Sequence, residues 1–338
     1  MISKSDNFID FLKSNFNKRF QFSLHEPIFS GREKEYLNNV IDSTFVSSSG
    51  EFLNLFEKSI AEYTTSRKAI TCINGTAALH ISLLVAGVNA GDEVLTQALS
   101  FVATSNAISY LNAKPIFIDV DIDTMGMSPV ALSDFLEENA ILTESGTFNK
   151  KTRKKISACV PMHTFGLMCR IDEIKKICNR WNIILIEDAA EALGSKYNNI
   201  HSGKFGLLSS FSFNGNKIIT SGGGGCIITQ DDKIFKKAKH LITTAKISKN
   251  WEFVHNKIGF NYRMPNINAA LGLAQVEQIN QKIKAKEKLY NFYNEILPTL
   301  GLNLSKIPEN TFWNYWLMSI QLENEREKES FLENCNKN

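Results

Sequence analysis

Between Ala69 and Thr229 the sequence alternates short apolar runs with stretches of helical period, and no other feature restricts the fold as strongly. The runs are "AITCI" from Ala69, "DEVLT" from Asp92, "KPIFIDV" from Lys114, "KISACVP" from Lys155, "NIILIED" from Asn182, "SSFSF" from Ser209 and "GGCIIT" from Gly224. Helices fit "TAALHISLLVAG", "VATSNAISYL", "SPVALSDFLEENA" and "IDEIKKICNRW", the last with Ile171, Ile174 and Ile177 spaced for one buried face. Strands separated by helix-length connections predict an α/β sheet, mostly parallel and covered on both faces. With 338 residues, 43% hydrophobic and 22% charged, the chain has material for a large core and a smaller second lobe. After Met264-Pro265, "NINAALGLAQVEQINQKIKAKEKLYNFYNEIL" predicts one long helix, capped by Asn266, that bridges to that lobe. There "FWNYWLMSIQLE" is expected as a strand and "REKESFLENC" as a helix, with no returning strand to complete the lobe.

The formal net charge of +3 is modest, and the basic run "NKKTRKK" (Asn149 to Lys155) reads as a solvated loop, which argues against a nucleic-acid partner. Six cysteines show no C-x-x-C spacing, so neither a zinc site nor a disulfide framework is expected. The start "MISKSDNFIDFLKSNF" is amphipathic and broken by acids, and no apolar run reaches membrane length. A cytoplasmic protein with no membrane partner and no metal is the expectation.

The candidate chemistry begins at "SFSFNGNKIITSGGGG", Ser210 to Gly225, where Lys217 stands between a strand-like run and four glycines. A phosphate loop would put the glycines before the lysine, and a dinucleotide fingerprint would open into a helix rather than into "CIIT". Most lysines are merely solvated charges. Three features raise the weight of this one. "IILIEDAAEALGS" is an apolar run ending in Glu187-Asp188, and parallel sheets bind ligands beyond the carboxyl ends of their strands. Asp188 would serve equally as an N-cap for "AAEAL". "CINGTAALH" puts Asn74, Gly75 and Thr76 at a strand-to-helix junction, either an anion cradle or an ordinary tight turn. Phe101, just after a strand in "QALSFVATSNAI", could stack on a flat ring or pack in the core. A reactive lysine, an acid, an aromatic face and a phosphate cradle together are the set that pyridoxal 5′-phosphate asks for.

These residues resemble the sugar aminotransferases of the DegT/DnrJ/EryC/StrS group. The likeness runs through "LHEPIFSGREKEY", "NGTAALH", "ALSFVATSNAI", "PIFIDVDIDT", "VPMHTFG", "IEDAAEALGS", "SFSFNGNKIITSGGGG" and "GFNYRMPNINAALG", nearly the whole chain. It implies the aspartate-aminotransferase-like type I fold. Residues 1–30 would form an N-terminal arm, 31–243 a large cofactor domain with a seven-stranded sheet, and 244–338 a small, apparently truncated α/β domain. By the same resemblance Lys217 carries the cofactor as an imine, Asp188 pairs with the pyridine nitrogen and Phe101 stacks on the ring. Gly75, Thr76 and Ser212 hold the phosphate, together with Asn261 from a second subunit, which implies a homodimer with shared active sites. Glu191 departs from the pattern, where glutamine is frequent, and falls near the ring oxygen. His163, His255 and Arg263 are candidates for substrate contact.

The wording of "FVSSSGEF" and "KISKNWEFVHNKIGFNYRM" is most similar to the branch that aminates UDP-4-keto-6-deoxy-N-acetylhexosamines in legionaminic acid and bacillosamine synthesis. The implied reaction moves an amino group from glutamate to a nucleotide-linked 4-keto sugar, for surface polysaccharide. Two alternatives stay open. One is a different type I pyridoxal reaction, such as desulfuration or retro-aldol cleavage. The other is a truncated paralogue that binds the cofactor without turnover.

Overall fold

A computed structural model of the chain describes residues 3–16, 24–249 and 251–338. Part of the expected N-terminal arm, residues 17–23, lies outside the described residues, as does Asn250 in "KISKN".

The seven apolar runs form the strands β1 (Lys68–Cys72), β2 (Glu93–Gln97), β3 (Lys114–Ile118), β4 (Ile156–Cys159), β5 (Ile184–Asp188), β6 (Leu208–Ser212) and β7 (Gly225–Thr229). They build one sheet in the order β1-β7-β6-β5-β4-β2-β3. The pairs β6–β5, β5–β4, β4–β2 and β2–β3 are parallel, while β7 is antiparallel to both its neighbours. Six strands therefore point the same way, and their carboxyl ends share one edge. The amino end of β7 meets them there, since Gly225 is in register with Cys72 on one side and Ser212 on the other.

Alternation along the strands feeds two cores, one on each face of the sheet. Ile70, Val94, Ala158, Ile186, Leu208 and Ile227 face a cluster completed by α4 (Gly75–Ala86), α5 (Ala103–Tyr110) and α8 (Asp232–Ile242). Leu95, Cys159, Leu185, Phe211 and Ile228 face the other. That second cluster is completed by α2 (Glu33–Ser43), α3 (Glu51–Tyr63), α6 (Pro129–Asn139), α7 (Ile171–Arg180), α9 (Asn266–Val276) and α10 (Ile279–Ile296). In α7, Ile171 and Ile174 are fully buried, each stabilising the fold by about 1.5–3 kcal/mol over an exposed position. The amino-terminal helix α1 (Lys4–Asn15), capped by Ser3, packs against α11 (Glu325–Lys337) through Phe8 and Phe331 and a Lys4–Glu327 ion pair of 2.9 Å.

Four sequence expectations change. The long helix after Pro265 is broken into α9 and α10 at Glu277-Gln278, where the chain segment before α2 docks. There the Gln278 amide donates to Glu33 Oε1 at 3.0 Å and accepts from Ser30 Oγ at 2.7 Å. Pro265, not Asn266, is the N-cap of α9. Asn266 instead bridges a loop and the first turn of α3, donating to the Phe45 carbonyl and accepting from the Leu53 N–H.

In the run "FWNYWLMSIQLE", Ile320 makes an isolated bridge to Leu304 and only Phe312 enters a strand, the two-residue Thr311–Phe312. Beyond it the Asn314 side chain takes the backbone partners: it donates to the carbonyls of Glu191 and Leu193 and accepts from the Trp316 N–H. An asparagine that satisfies the backbone locally competes with a strand ladder. "AAEAL" is not a helix either. It is a pair of turns, closed by Ala192 N–H to Ala189 O and Ser195 N–H to Ala192 O and clamped by the same Asn314 amide.

Candidate active site

The shared carboxyl edge of the sheet opens into a cavity of about 280 Å³, lined by Gly75, Thr76, Phe101, Asp188, Glu191, Ser212 and Lys217 among others. Asp188 and Ser212 end their strands, and the others arrive on the loop or helix that follows one.

At the end of β1, Asn74 takes an extended conformation and its side chain accepts from the Ala77 N–H at 2.7 Å, capping α4. The first N–H groups of a helix have no partner within it, so those of Gly75 and Thr76 and the positive end of the helix dipole are left for an anion. The cradle has no room for larger residues. A Cβ on Gly75 would lie 2.9 Å from Ser212 Cβ, and one on Gly225 only 2.4 Å from the Asn74 carbonyl carbon and 2.6 Å from the Gly75 nitrogen. These glycines let three strand ends converge on the helix start.

At the end of β5, Asp188 is buried, with its two oxygens held separately: Thr104 Oγ1 donates to Oδ2 at 2.6 Å and the Ala190 N–H to Oδ1 at 3.1 Å. Burial pushes its pKa above the usual carboxylate value, against the opposing pull of Thr104, Ala190 and the Lys217 charge. An ionised carboxylate has about four acceptor positions. Asp188 therefore keeps capacity for a cationic N–H donor, which would also relieve its desolvation.

Lys217 follows the turn after β6. Its Nζ donates to Glu191 Oε1 at 3.3 Å and lies 4.1 Å from the centre of the Trp316 ring. The indole N–H of Trp316 in turn donates to the Asn216 carbonyl at 2.7 Å, which ties the ring to the lysine's own loop. Glu191 is held by the Phe165 N–H on its other oxygen at 2.8 Å. Its pKa is raised, first by burial and also by the Asp188 charge, while Lys217 and Phe165 work the other way. Phe101 is largely exposed and forms one wall of the opening.

The remaining candidates do not line this cavity. His163 is fully buried below it, with Nε2 3.1 Å from Glu187 Oε2 and its backbone N–H donating to the Asp188 carbonyl. It has no surface to offer a substrate. Glu187 points to the same interior and accepts from the backbone N–H groups of Gly203, Phe205 and Gly206. Asn261 and Arg263 are exposed residues in isolated bridges to Thr243 and Cys72. His255 is exposed on the hairpin of Lys246–Lys249 and Glu252–His255, with Nδ1 2.8 Å from the Thr244 carbonyl.

Sequence reasoning missed Thr104 and Trp316. Thr104 lay inside a motif already singled out, one helical turn from Phe101, but a threonine in a helix start carries no signal of its own. Trp316 was hidden in a run read as a strand.

The DegT/DnrJ/EryC1/StrS aminotransferase family matches residues 27–338. GDP-perosamine synthase of Escherichia coli O157:H7 is 37% identical over 306 residues, covering 90% of this chain and 79% of that one. A Bacillus subtilis (strain 168) protein provisionally described as the pyridoxal phosphate-dependent aminotransferase EpsN is 37% identical over 303 residues, covering 89% and 75%. The crystal structure of a DegT/DnrJ/EryC1/StrS aminotransferase from Brucella abortus superposes with a TM-score of 0.79 at 24% identity, over 98% of this chain and 82% of that one.

Proposed function

This chain belongs to the DegT/DnrJ/EryC1/StrS aminotransferase family, and on that premise we propose that it transfers an amino group to a nucleotide-linked 4-keto-6-deoxy sugar with pyridoxal 5′-phosphate as cofactor. One observation carries the reading: a buried amine, a buried carboxylate and the open start of a helix line one cavity at the carboxyl edge of the sheet. The cofactor, when bound, supplies an electron sink and an amino carrier. Gly75, Thr76 and Ser212 would hold its phosphate, Phe101 would cover its ring, and Asp188 would pair with the pyridine nitrogen.

Lys217 performs two tasks in this reading. Its amine would hold the cofactor covalently and, when free, would accept and return a proton at Nζ during the transfer. Asp188 would favour the protonated form of the ring nitrogen; the bond from Thr104 to Oδ2 turns the carboxylate and favours its ionised form. Glu191, within reach of the lysine nitrogen, favours the protonated state of whatever base forms there. Trp316 and Phe101 narrow the opening and exclude water from the lysine.

The acceptor we favour is UDP-4-keto-6-deoxy-N-acetylglucosamine, with glutamate as donor, on the likeness to the legionaminic acid and bacillosamine branch. A GDP-linked sugar is the second choice, because the E. coli relative is named for a GDP sugar. Asn261 and Arg263, exposed and outside the cavity of their own chain, suit a homodimer in which each subunit completes the other's site. We place the protein in the cytoplasm, where nucleotide sugars are made.

The test is a panel of UDP-, GDP- and dTDP-linked 4-keto-6-deoxy sugars, assayed with glutamate and purified protein. Amination of one of them, with a visible cofactor band that vanishes in Lys217→Ala, is the expected result. A Lys217→Ala protein that keeps both the band and the turnover overturns the assignment.

A further inference from the structure

A second cavity, of about 450 Å³, shares Lys217 with the first. Its walls are the segment from Leu24 to Ser30, the loop residues Lys217 and Ile218, and the face of α9 and α10 that carries Gln275, Gln278, Gln281, Lys282 and Lys286. The segment is fastened across the helices rather than draped over them. Its Ile28 carbonyl accepts from Lys282 Nζ at 2.7 Å and from the Gln275 amide at 3.0 Å.

The cavity holds more positive charge than the protein neutralises. Lys282 and Lys286 stand four residues apart on one helix, where like charges face each other and repel. Among the described residues neither has a carboxylate within ion-pair distance; each spends one N–H on a carbonyl, Lys282 on Ile28 and Lys286 on Trp316 at 2.8 Å. An ammonium has three donors, so each keeps N–H groups to spare.

Glu33 offsets the charge of Lys282 only in part. Glu33 is occupied by the Gln275 and Gln278 amides and by the Gly31 N–H, and Glu26, which lines the cavity, is exposed. His25 Nδ1 is buried without a hydrogen-bond partner among the described residues. Burial lowers the pKa of Lys286 to about 8 and also lowers that of Lys282; His25 is pushed down to about 4 by burial and by these two lysines. The rest of the wall is aliphatic: Leu24, Pro27, Ile218 and Leu289.

A largely apolar cavity that shares Lys217 with the first and holds two ammonium groups without an ion-pair partner among the described residues matches one class of reactant. We propose that this cavity takes the side-chain carboxylate of a dicarboxylic amino donor, and of the 2-oxo acid it becomes, with Lys286 and Lys282 as its contacts. This rests on the aminotransferase reading and names its donor subsite. Lys286 also binds the carbonyl of Trp316, whose ring covers Lys217, so an occupied subsite is mechanically connected to the catalytic lysine.

The experiment is equilibrium dialysis of the purified holoenzyme with labelled 2-oxoglutarate, in competition with succinate, 2-oxobutyrate and UDP, on the wild type and on Lys282→Gln, Lys286→Gln and Lys286→Arg. Hydrogen bonds to a charged group carry about 1.5–3 kcal/mol, so each glutamine variant should bind 2-oxoglutarate about tenfold to a hundredfold more weakly. Lys286→Arg should recover most of the loss. Succinate should compete, whereas 2-oxobutyrate and UDP should not. The KM for glutamate should rise by the same factor while that for the keto sugar stays put. Unchanged 2-oxoglutarate affinity in both glutamine variants overturns the proposal, as does displacement by UDP with a raised KM for the nucleotide sugar. Should no donor be turned over, the aminotransferase reading fails, and the dialysis still decides whether the lysines form a dicarboxylate site.

Discussion

Lys217 Nζ and Glu191 Oε1 lie 3.3 Å apart, so the amine proposed to carry the chemistry stands beside a carboxylate. Both side chains are about nine-tenths buried, where a charge pair is weakly screened. A carboxylate at that distance stabilises any cation formed at the lysine nitrogen, and its removal should be visible without an assay of turnover.

Glu191→Gln keeps the shape and an acceptor oxygen but deletes the charge. An opposite charge within about 4–6 Å moves a pKa by about one to three units. The pH midpoint of the visible absorption from the Lys217-linked cofactor should therefore fall by about that much. A spectrophotometric titration of the two proteins reads it, and coincident midpoints would show that Glu191 does not act on this nitrogen.

Thr104 supplies a single hydroxyl, 2.6 Å from Asp188 Oδ2, and its loss leaves one oxygen of a buried carboxylate unpaired. Such a loss costs about 1–3 kcal/mol, or about fivefold to a hundredfold in an equilibrium constant. Thr104→Val should weaken cofactor retention by that factor, because Asp188 would be protonated more readily and pair less well with a pyridinium. Thr104→Ser should retain the wild-type value. Measuring the cofactor's dissociation constant in both variants checks the pair, and a loss in the serine variant without one in the valine variant would mean that the methyl group, not the hydroxyl, matters.

The buried pair His163–Glu187 makes stability depend on pH. Burial alone would keep the imidazole neutral, yet the Cys169 sulfur and the Glu187 carboxylate together raise its pKa to about 10. For Glu187, burial works upward, but the bonds from His163, Gly206 and Gly203 bring the net shift downward. A raised histidine contributes stability that is complete below its unfolded value of about 6.5 and is lost as pH climbs towards 10. A lowered glutamate contributes stability that is complete above about 4.5 and is lost as pH falls through its folded value. Melting temperature should be highest between these limits and decline on the alkaline side. Removing one partner of a buried pair costs about 3–5 kcal/mol. His163→Ala should accordingly melt lower at pH 6 and lose the alkaline decline; a parallel pH profile in the variant would refute the pairing.

The sheet and the heart of the site were legible because both are written in local pattern. Apolar runs of β-branched residues make strands, and a strand that is followed by Asn-Gly-Thr, or that ends in Asp188, brings those residues to the carboxyl edge. What the sequence hid depends on partners distant in the chain. Nothing in "AAEAL" reveals that Asn314, more than a hundred positions on, will occupy the carbonyls of Glu191 and Leu193 and turn a helical pattern into turns. The same amide explains why "FWNYWLM" is not a strand, and so why Trp316 reaches Lys217. Gln278 interrupts a good helix for the sake of Ser30 and Glu33. His163, next to a strand end, looked available for substrate, but its partner Glu187 faces inward because strand residues alternate, and the pair is sealed beneath the site.

Gly225 offers the sharpest separation of cofactor binding from stability. Its backbone is ordinary for a strand, so alanine would meet no conformational penalty there; the obstacle is purely steric, with a Cβ 2.4 Å from the Asn74 carbonyl carbon and 2.6 Å from the Gly75 nitrogen. Backbone cannot yield as a flexible side chain does, so the turn that starts α4 must move, and with it the N–H groups aimed at the phosphate. Gly87, at the other end of α4, poses the opposite case: φ is +92° and nothing lies within 4 Å of the Cβ position. Alanine there pays only left-handed strain, about 1–2 kcal/mol. Gly225→Ala should raise the cofactor's dissociation constant at least about tenfold, the effect of losing one hydrogen bond to a charged phosphate. Gly87→Ala should lower the melting temperature with cofactor affinity intact. If the two variants lost cofactor equally, the helix start could not be the phosphate cradle, since a change at the far end of the helix would then serve as well as one within the turn.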